Sequence, residues 1–164
     1  MYSIKEAAIA DTDAIISIAT ETYWSVYGPI LTEEQINYML GTIYSVETIS
    51  GQIENNVQSF LLLLEDEEPV AFAAYSPRAE NPDIYKLHKL YCLPKTQGKG
   101  YGKVLLNAVA DKVKEAGKNT LDLNVNRYNN AKTFYEKMGF KAIYEEDIPV
   151  GDYWMNDFVM RKEL

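Results

Sequence analysis

Gln97-Gly98-Lys99-Gly100-Tyr101-Gly102-Lys103 holds the residue types best suited to binding an anion. Three glycines within five residues let the backbone approach a ligand closely and take torsions that a side chain forbids. A β-type run ends at Pro94, and the helical pattern beginning Val104-Leu105-Leu106 follows the loop directly. Free N–H groups in such a turn lie at the positive end of the new helix dipole, where a phosphate or pyrophosphate is favoured. Lys95, Lys99 and Lys103 add charge of the matching sign. No Gly-Lys-Ser or Gly-Lys-Thr occurs, which removes the Walker nucleotide loop. The dinucleotide fingerprint needs G-x-G-x-x-G; here the spacing is G-x-G-x-G, and no acidic residue closes a following strand as a ribose ligand. What remains is Q-x-x-G-x-G, at Gln97, Gly100 and Gly102, or an ordinary glycine-rich turn.

The elements around this loop can be read from periodicity. Residues 2–4 have strand spacing, and Asp11-Thr12-Asp13 offers a cap for a helix that runs to the stop at Gly28-Pro29. Thr32 with Gln35 is a capping-box signature before Ile36, Met39, Leu40 and Ile43. A shorter helix is expected from Val46 to Ile53. Phe60 to Glu65 and Val70 to Tyr75 form a hairpin, and Ile84 to Leu93 is the strand that feeds the loop. Leu105, Val109, Val113 and Ala116 face one side of the next helix, which ends at Gly117. Leu121, Leu123 and Val125 alternate with Asp122, Asn124 and Asn126, a strand with an apolar and a polar face. A short helix from Ala131 to Met138 and strands near 141–145 and 156–161 complete an α/β chain around a mixed, largely antiparallel sheet.

With 164 residues, 47% hydrophobic and 24% charged, the chain reads as one soluble globular domain spanning 1–164. No apolar run reaches membrane-spanning length and no signal pattern opens the chain. Cys92 is the single cysteine, which excludes an internal disulfide and suits the cytoplasm. With His88 as the one histidine, no metal site is expected. Residues 1–82 carry two basic against 13 acidic residues, a net −11, while residues 83–164 carry a net +3. That acidity disfavours nucleic acid and favours cationic partners, although plain solubilising charge explains it as well.

Asn129-x-Ala131-x-x-Phe134-Tyr135-x-x-x-Gly139-Phe140 lies one strand and one helix after the glycine loop. Together, in this order, the two motifs resemble the GNAT superfamily of N-acetyltransferases, whose acetyl-CoA loop reads [Q/R]-x-x-G-x-[G/A]. The closing stretch Gly151 to Phe158 is similar to the PaiA-like branch, which acetylates polyamines and other small amines. The resemblance implies a GNAT-like sheet, splayed for acetyl-CoA. The backbone of Leu90, Tyr91, Cys92 and Leu93 would pair with the pantetheine arm, and the amides of Gln97, Gly98, Lys99, Gly100, Tyr101, Gly102 and Lys103 would bind the pyrophosphate. Asn129 and Phe134 would contact the cofactor, with Lys137 near its phosphates.

Tyr135 matches the tyrosine placed by the thioester sulfur and is the expected proton donor to the leaving thiolate. An amide of Tyr91 or Cys92 would hold the thioester oxygen. His88, two residues before Leu90, is the candidate base, with a structural role as its rival. Glu21, Tyr23 and Trp24 are the expected acceptor-pocket residues, with helix–sheet packing the stronger reading of Trp24. Cys92 has no base partner in sequence to make it a nucleophile. The implied activity is acetyl transfer to a primary amine, a small amine or polyamine. The rival acceptor is a peptide or protein amine; the rival class is a CoA-binding module without turnover. The family's habits also allow a homodimer.

Overall fold

The computed structural model describes residues 1–164. Strands are β1 (Tyr2–Glu6), β2 (Ser59–Glu65), β3 (Glu68–Pro77), β4 (Ile84–Cys92), β5 (Thr120–Asn126), β6 (Lys141–Val150) and β7 (Tyr153–Glu163). Helices are α1 (Thr12–Tyr27), α2 (Glu33–Ile43), α3 (Val46–Glu54), α4 (Tyr101–Glu115) and α5 (Ala131–Lys137). One seven-stranded sheet runs β1-β2-β3-β4-β5-β7-β6, and every neighbouring pair is antiparallel except β4 with β5. The expected mixed, largely antiparallel α/β architecture is therefore what forms. No helix is long and apolar enough to cross a membrane.

Val70 to Tyr75 of β3 is buried at every position, because α1 and α4 both pack on β3 and β4. Such two-sided cover gives a continuous apolar run in place of alternation. The Thr32 hydroxyl accepts the Gln35 amide at 3.2 Å, as a helix cap should. Only half of the capping box closes, since the Gln35 side chain donates to the Trp154 carbonyl at 3.2 Å and ties α2 to β7. Asp11 caps the turn before α1, accepting the Ala8 amide at 2.8 Å and pairing with Lys5 at 3.0 Å.

Two expectations change. The last strands are longer than 141–145 and 156–161 and meet in one hairpin at Gly151, whose φ of +61° brings it against Tyr38 of α2. Their extent escapes periodicity because β6 is an edge strand with almost every residue at least partly in solvent. On β5, Asp122 and Asn126 do not face water: they are 0% and 3% exposed. Arg78 and Arg161 close over Asp122, and Asn126 Oδ1 accepts the Tyr128 amide at 2.9 Å, so these polar side chains are covered by their own partners.

The feature that shapes the site is the junction of β4 and β5. Their parallel pairing covers only Ile84–Leu87 against Thr120–Leu123. On the other side of β4, the register with β3 skips His88, passing from Tyr75↔Leu87 to Ala74↔Lys89. A bulge of this kind bends and twists its strand. Beyond it β4 stays with β3 and β5 stays with β7, so the two parallel strands part. A V-shaped opening results, closed at Leu87 and widening toward Cys92.

Candidate active site

Two-residue alternation decides which β4 backbone groups face that opening. The Leu93 amide donates to Val70 of β3 at 2.9 Å, so Tyr91, of the same parity, also faces β3. Leu90 and Cys92 therefore present N–H and C=O to the unpaired side. This corrects the expectation that all four residues from 90 to 93 pair with a ligand. Of the two amides considered for the thioester oxygen, Cys92 is the one on the free edge. The Tyr91 ring turns toward α1 and packs with Tyr23, Tyr44 and Phe72 at centroid distances of 6.5, 6.1 and 5.8 Å.

At the wide end stands the glycine loop. Gly98 and Gly100 have φ of +86° and +77°, left-handed torsions that cost a residue with a Cβ about 1–2 kcal/mol. The Gln97 amide donates to Pro94 and the Lys99 amide to Thr96, both at 3.1 Å. Those two are thus committed inside the turn, a correction to the expected run of amides. The first-turn amides Tyr101, Gly102 and Lys103 have no carbonyl one turn back and point out of the helix start, beside Gly98 and Gly100. Lys99 is spent on Glu65 at 2.7 Å, and Lys95 on Glu68 at 2.9 Å. The Tyr101 hydroxyl also donates to Glu65, so that residue offers only its backbone. Lys103 remains exposed beside the loop, and the Phe134 ring lies against Gly102. Lys137 is exposed one turn after Phe134. Uncommitted amides at a helix start together with a free strand edge are what a chain of pyrophosphate and amide-bearing arm would need.

A cavity of about 220 Å³ fills the opening, lined by Leu90, Cys92, Val125, Thr22, Tyr27 and Tyr135 among others. Tyr135 is 9% exposed, and burial first, then the neighbouring Tyr27 and Cys92, push its hydroxyl well above the usual phenol range. It therefore stays protonated at neutral pH, with a proton to give only when an anion develops beside it. Asn129 borders the same cavity; its Oδ1 accepts the Ala131 amide at 2.9 Å and starts α5. Burial raises the Cys92 thiol to about 11, which leaves little thiolate for attack.

His88 does not suit the base role. Its Nε2 lies 2.7 Å from the Ser76 hydroxyl, and burial, helped by Lys86, Lys89 and Arg78, lowers its pKa to about 3. A ring with that pKa is a poor proton acceptor at neutral pH. The linked prediction concerns stability. The folded pKa lies below the unfolded value near 6.5, so this contribution is complete above about pH 6.5 and is lost as pH falls toward 3. His88→Gln should flatten the fall of melting temperature between pH 6.5 and 4.5, while kcat/KM keeps its pH profile. Loss of the acidic limb of that profile, where activity falls as a base is protonated, would restore the base role.

Of the three expected acceptor residues, Tyr23 is buried at 2% and reaches a cavity beside the cleft, but Glu21 and Trp24 are exposed and line neither space. Thr22, Val26 and Tyr27 are the α1 residues turned to the cleft, offset by the helical period from those expected. Lys89 and Asp157, both 6% exposed, also lie near it and were not singled out from sequence.

The profile of the acetyltransferase (GNAT) domain matches residues 29–164. The chain belongs to the GNAT acetyltransferase family. A spermidine N(1)-acetyltransferase of Thermoplasma acidophilum is 28% identical over 165 residues, 98% of this chain and 96% of the relative. The PaiA N-acetyltransferase from Thermoplasma acidophilum, solved in complex with coenzyme A, superposes with a TM-score of 0.86 at 28% identity, over 100% of this chain and 99% of that one. A ribosomal protein bS18-alanine N-acetyltransferase of Haemophilus influenzae is 32% identical over 96 residues, 57% of this chain and 64% of the relative. GNAT membership agrees with the geometry: the free β4 edge, the glycine loop and Tyr135 all border one opening.

Proposed function

We propose that this chain transfers acetyl from acetyl-CoA directly to the primary amine of a small molecule, with both substrates bound together. The observation that carries the reading is the unpaired edge of β4, Leu90 to Cys92, running from Tyr135 to the uncommitted amides of the glycine loop. Gly98, Gly100, Tyr101, Gly102 and Lys103 would take the pyrophosphate, and Leu90 with Cys92 would pair with the pantetheine arm as an added strand. Thr22 Oγ1, buried without a partner, supplies a further polar contact at the cleft.

Acetyl-CoA supplies an activated acyl group; the chain supplies position and a proton. Holding amine and thioester together removes most of the entropic cost of their encounter. The Cys92 N–H, on the free edge of β4, would hold the thioester oxygen and stabilise charge that develops there. As the N–C bond forms and the C–S bond breaks, the Tyr135 hydroxyl gives its proton to the departing sulfur, and the proton that the acylated nitrogen loses passes to water, from which Tyr135 is reprotonated. The unpaired cysteine fits a reducing, cytoplasmic setting.

Similarity to a spermidine acetyltransferase over nearly the whole chain supports a small amine acceptor, and the shorter match to an alanine N-acetyltransferase supports a peptide amine. Full-length agreement favours the former. Thiol release from acetyl-CoA at pH 8 should depend on small primary amines, spermidine included. Release with alanyl peptides alone would favour the peptide reading. CoA binding with no release by any amine would leave a binding module.

A further inference from the structure

A second cavity, of about 280 Å³, abuts the cleft and shares Tyr27, Lys89, Tyr91 and Asn124 with it. Two buried charges of opposite sign line it, and neither has an ionic partner. Asp157 of β7 accepts from Asn124 Nδ2 at 3.2 Å through Oδ2, while its Oδ1 has no partner. Lys86, Glu146 and Arg127 act on this carboxylate only from beyond ion-pair contact. Lys89 of β4 is held by amide oxygens alone, Gln58 at 2.6 Å and Gln52 at 3.3 Å, with the Phe60 ring 5.3 Å from its Nζ.

Burying single charges away from water is costly unless something of opposite sign compensates them. These two share a cavity yet do not pair with each other. A ligand carrying one charge of each sign satisfies both, whereas a diamine meets repulsion at Lys89 and a dicarboxylate meets it at Asp157. Charge sets the polarity: the ammonium end of such a ligand meets Asp157 and its carboxylate end meets Lys89, in a space that Tyr27 and Asn124 join to the cleft. The volume lies just below the usual range for ligand pockets, about 300–1,000 Å³, and suits a compact acceptor over a long polycation.

We propose that the acceptor is a compact zwitterion, an amino acid or ω-amino carboxylate, with its amine at Asp157 and its carboxylate at Lys89. The inference rests on the amine-acetyltransferase reading and names the substrate class within it. Its test is kcat/KM for pairs matched in length: γ-aminobutyrate against putrescine, and β-alanine against 1,3-diaminopropane, with spermidine alongside. In each pair the amino carboxylate should be preferred roughly tenfold or more. Lys89→Met should erase that preference, chiefly by raising KM for the carboxylates, and Asp157→Asn should slow every amine. Equal or faster diamine turnover by the wild type would overturn the proposal, and so would an unchanged preference in a Lys89→Met protein that binds CoA normally. If Lys89→Met does not fold, the wild-type ratios decide. Turnover of spermidine without the amino carboxylates sinks this inference and leaves the acetyltransferase reading standing; no thiol release with any amine sinks both.

Discussion

Replacing Tyr135 with phenylalanine should lower kcat by about 10²–10⁴-fold, the usual contribution of a positioned general acid, with CoA affinity nearly unchanged. Tyr135 lies on α5, a short helix stopped by Gly139 at φ +96°, with its ring against Phe134 and Phe140 at 5.2 and 5.9 Å. Phenylalanine keeps that packing. The hydroxyl is held above the ordinary phenol range by burial and by Tyr27 and Cys92, with no protein hydrogen bond contributing to the shift. Its removal should therefore leave the fold alone and subtract only the proton. Steady-state kinetics with saturating amine, paired with calorimetric CoA titration, reads both quantities. A kcat within a few-fold of wild type would assign thiolate protonation to water.

The second large effect concerns stability. Asp122→Ala should cost on the order of 3 kcal/mol, because it takes a fully buried carboxylate from two part-buried guanidinium groups and leaves Arg161 without it and Arg78 with only Glu80. Asp122 is 0% exposed and accepts from Arg161 Nε at 2.7 Å, Arg161 Nη2 at 2.9 Å and Arg78 Nε at 2.9 Å. It stands one residue before Leu123, where β4 and β5 part, and faces Lys86 on β4 and Arg161 on β7. The ion cluster thus pins the closed end of the opening. Thermal unfolding should shift down by on the order of 10 °C in a domain of this size. A shift of a degree or two would mean that the three side chains find water when the carboxylate goes.

Chemistry that lies within one local stretch was legible before any fold was known. The glycine loop and the Asn129–Phe140 motif each hold their residues within a dozen positions, so spacing alone carries them. Residues joined only by packing were not. Lys89 and Asp157 line one cavity because β4 and β7 both border the space beside α1, and nothing near either one in the chain marks it. The β4 stretch was legible as a strand but not by parity, which depends on the His88 bulge and on the partner strand. Asp122 illustrates the limit of alternation: the rule holds for a strand with one wet face, and here Arg78 and Arg161 cover that face at Asp122. Helical offset explains α1, where one residue of error turned Glu21 outward and left Thr22 facing the cleft.

The most direct test of the transfer itself is acetyl-CoA incubated with the protein, with and without a primary amine, while thiol release and intact-protein mass are followed together. Direct transfer predicts no thiol and an unmodified protein until the amine is added, then one N-acetylated product for each thiol released. Thiol released without amine, leaving an acetyl group on Cys92 or another side chain, would contradict it.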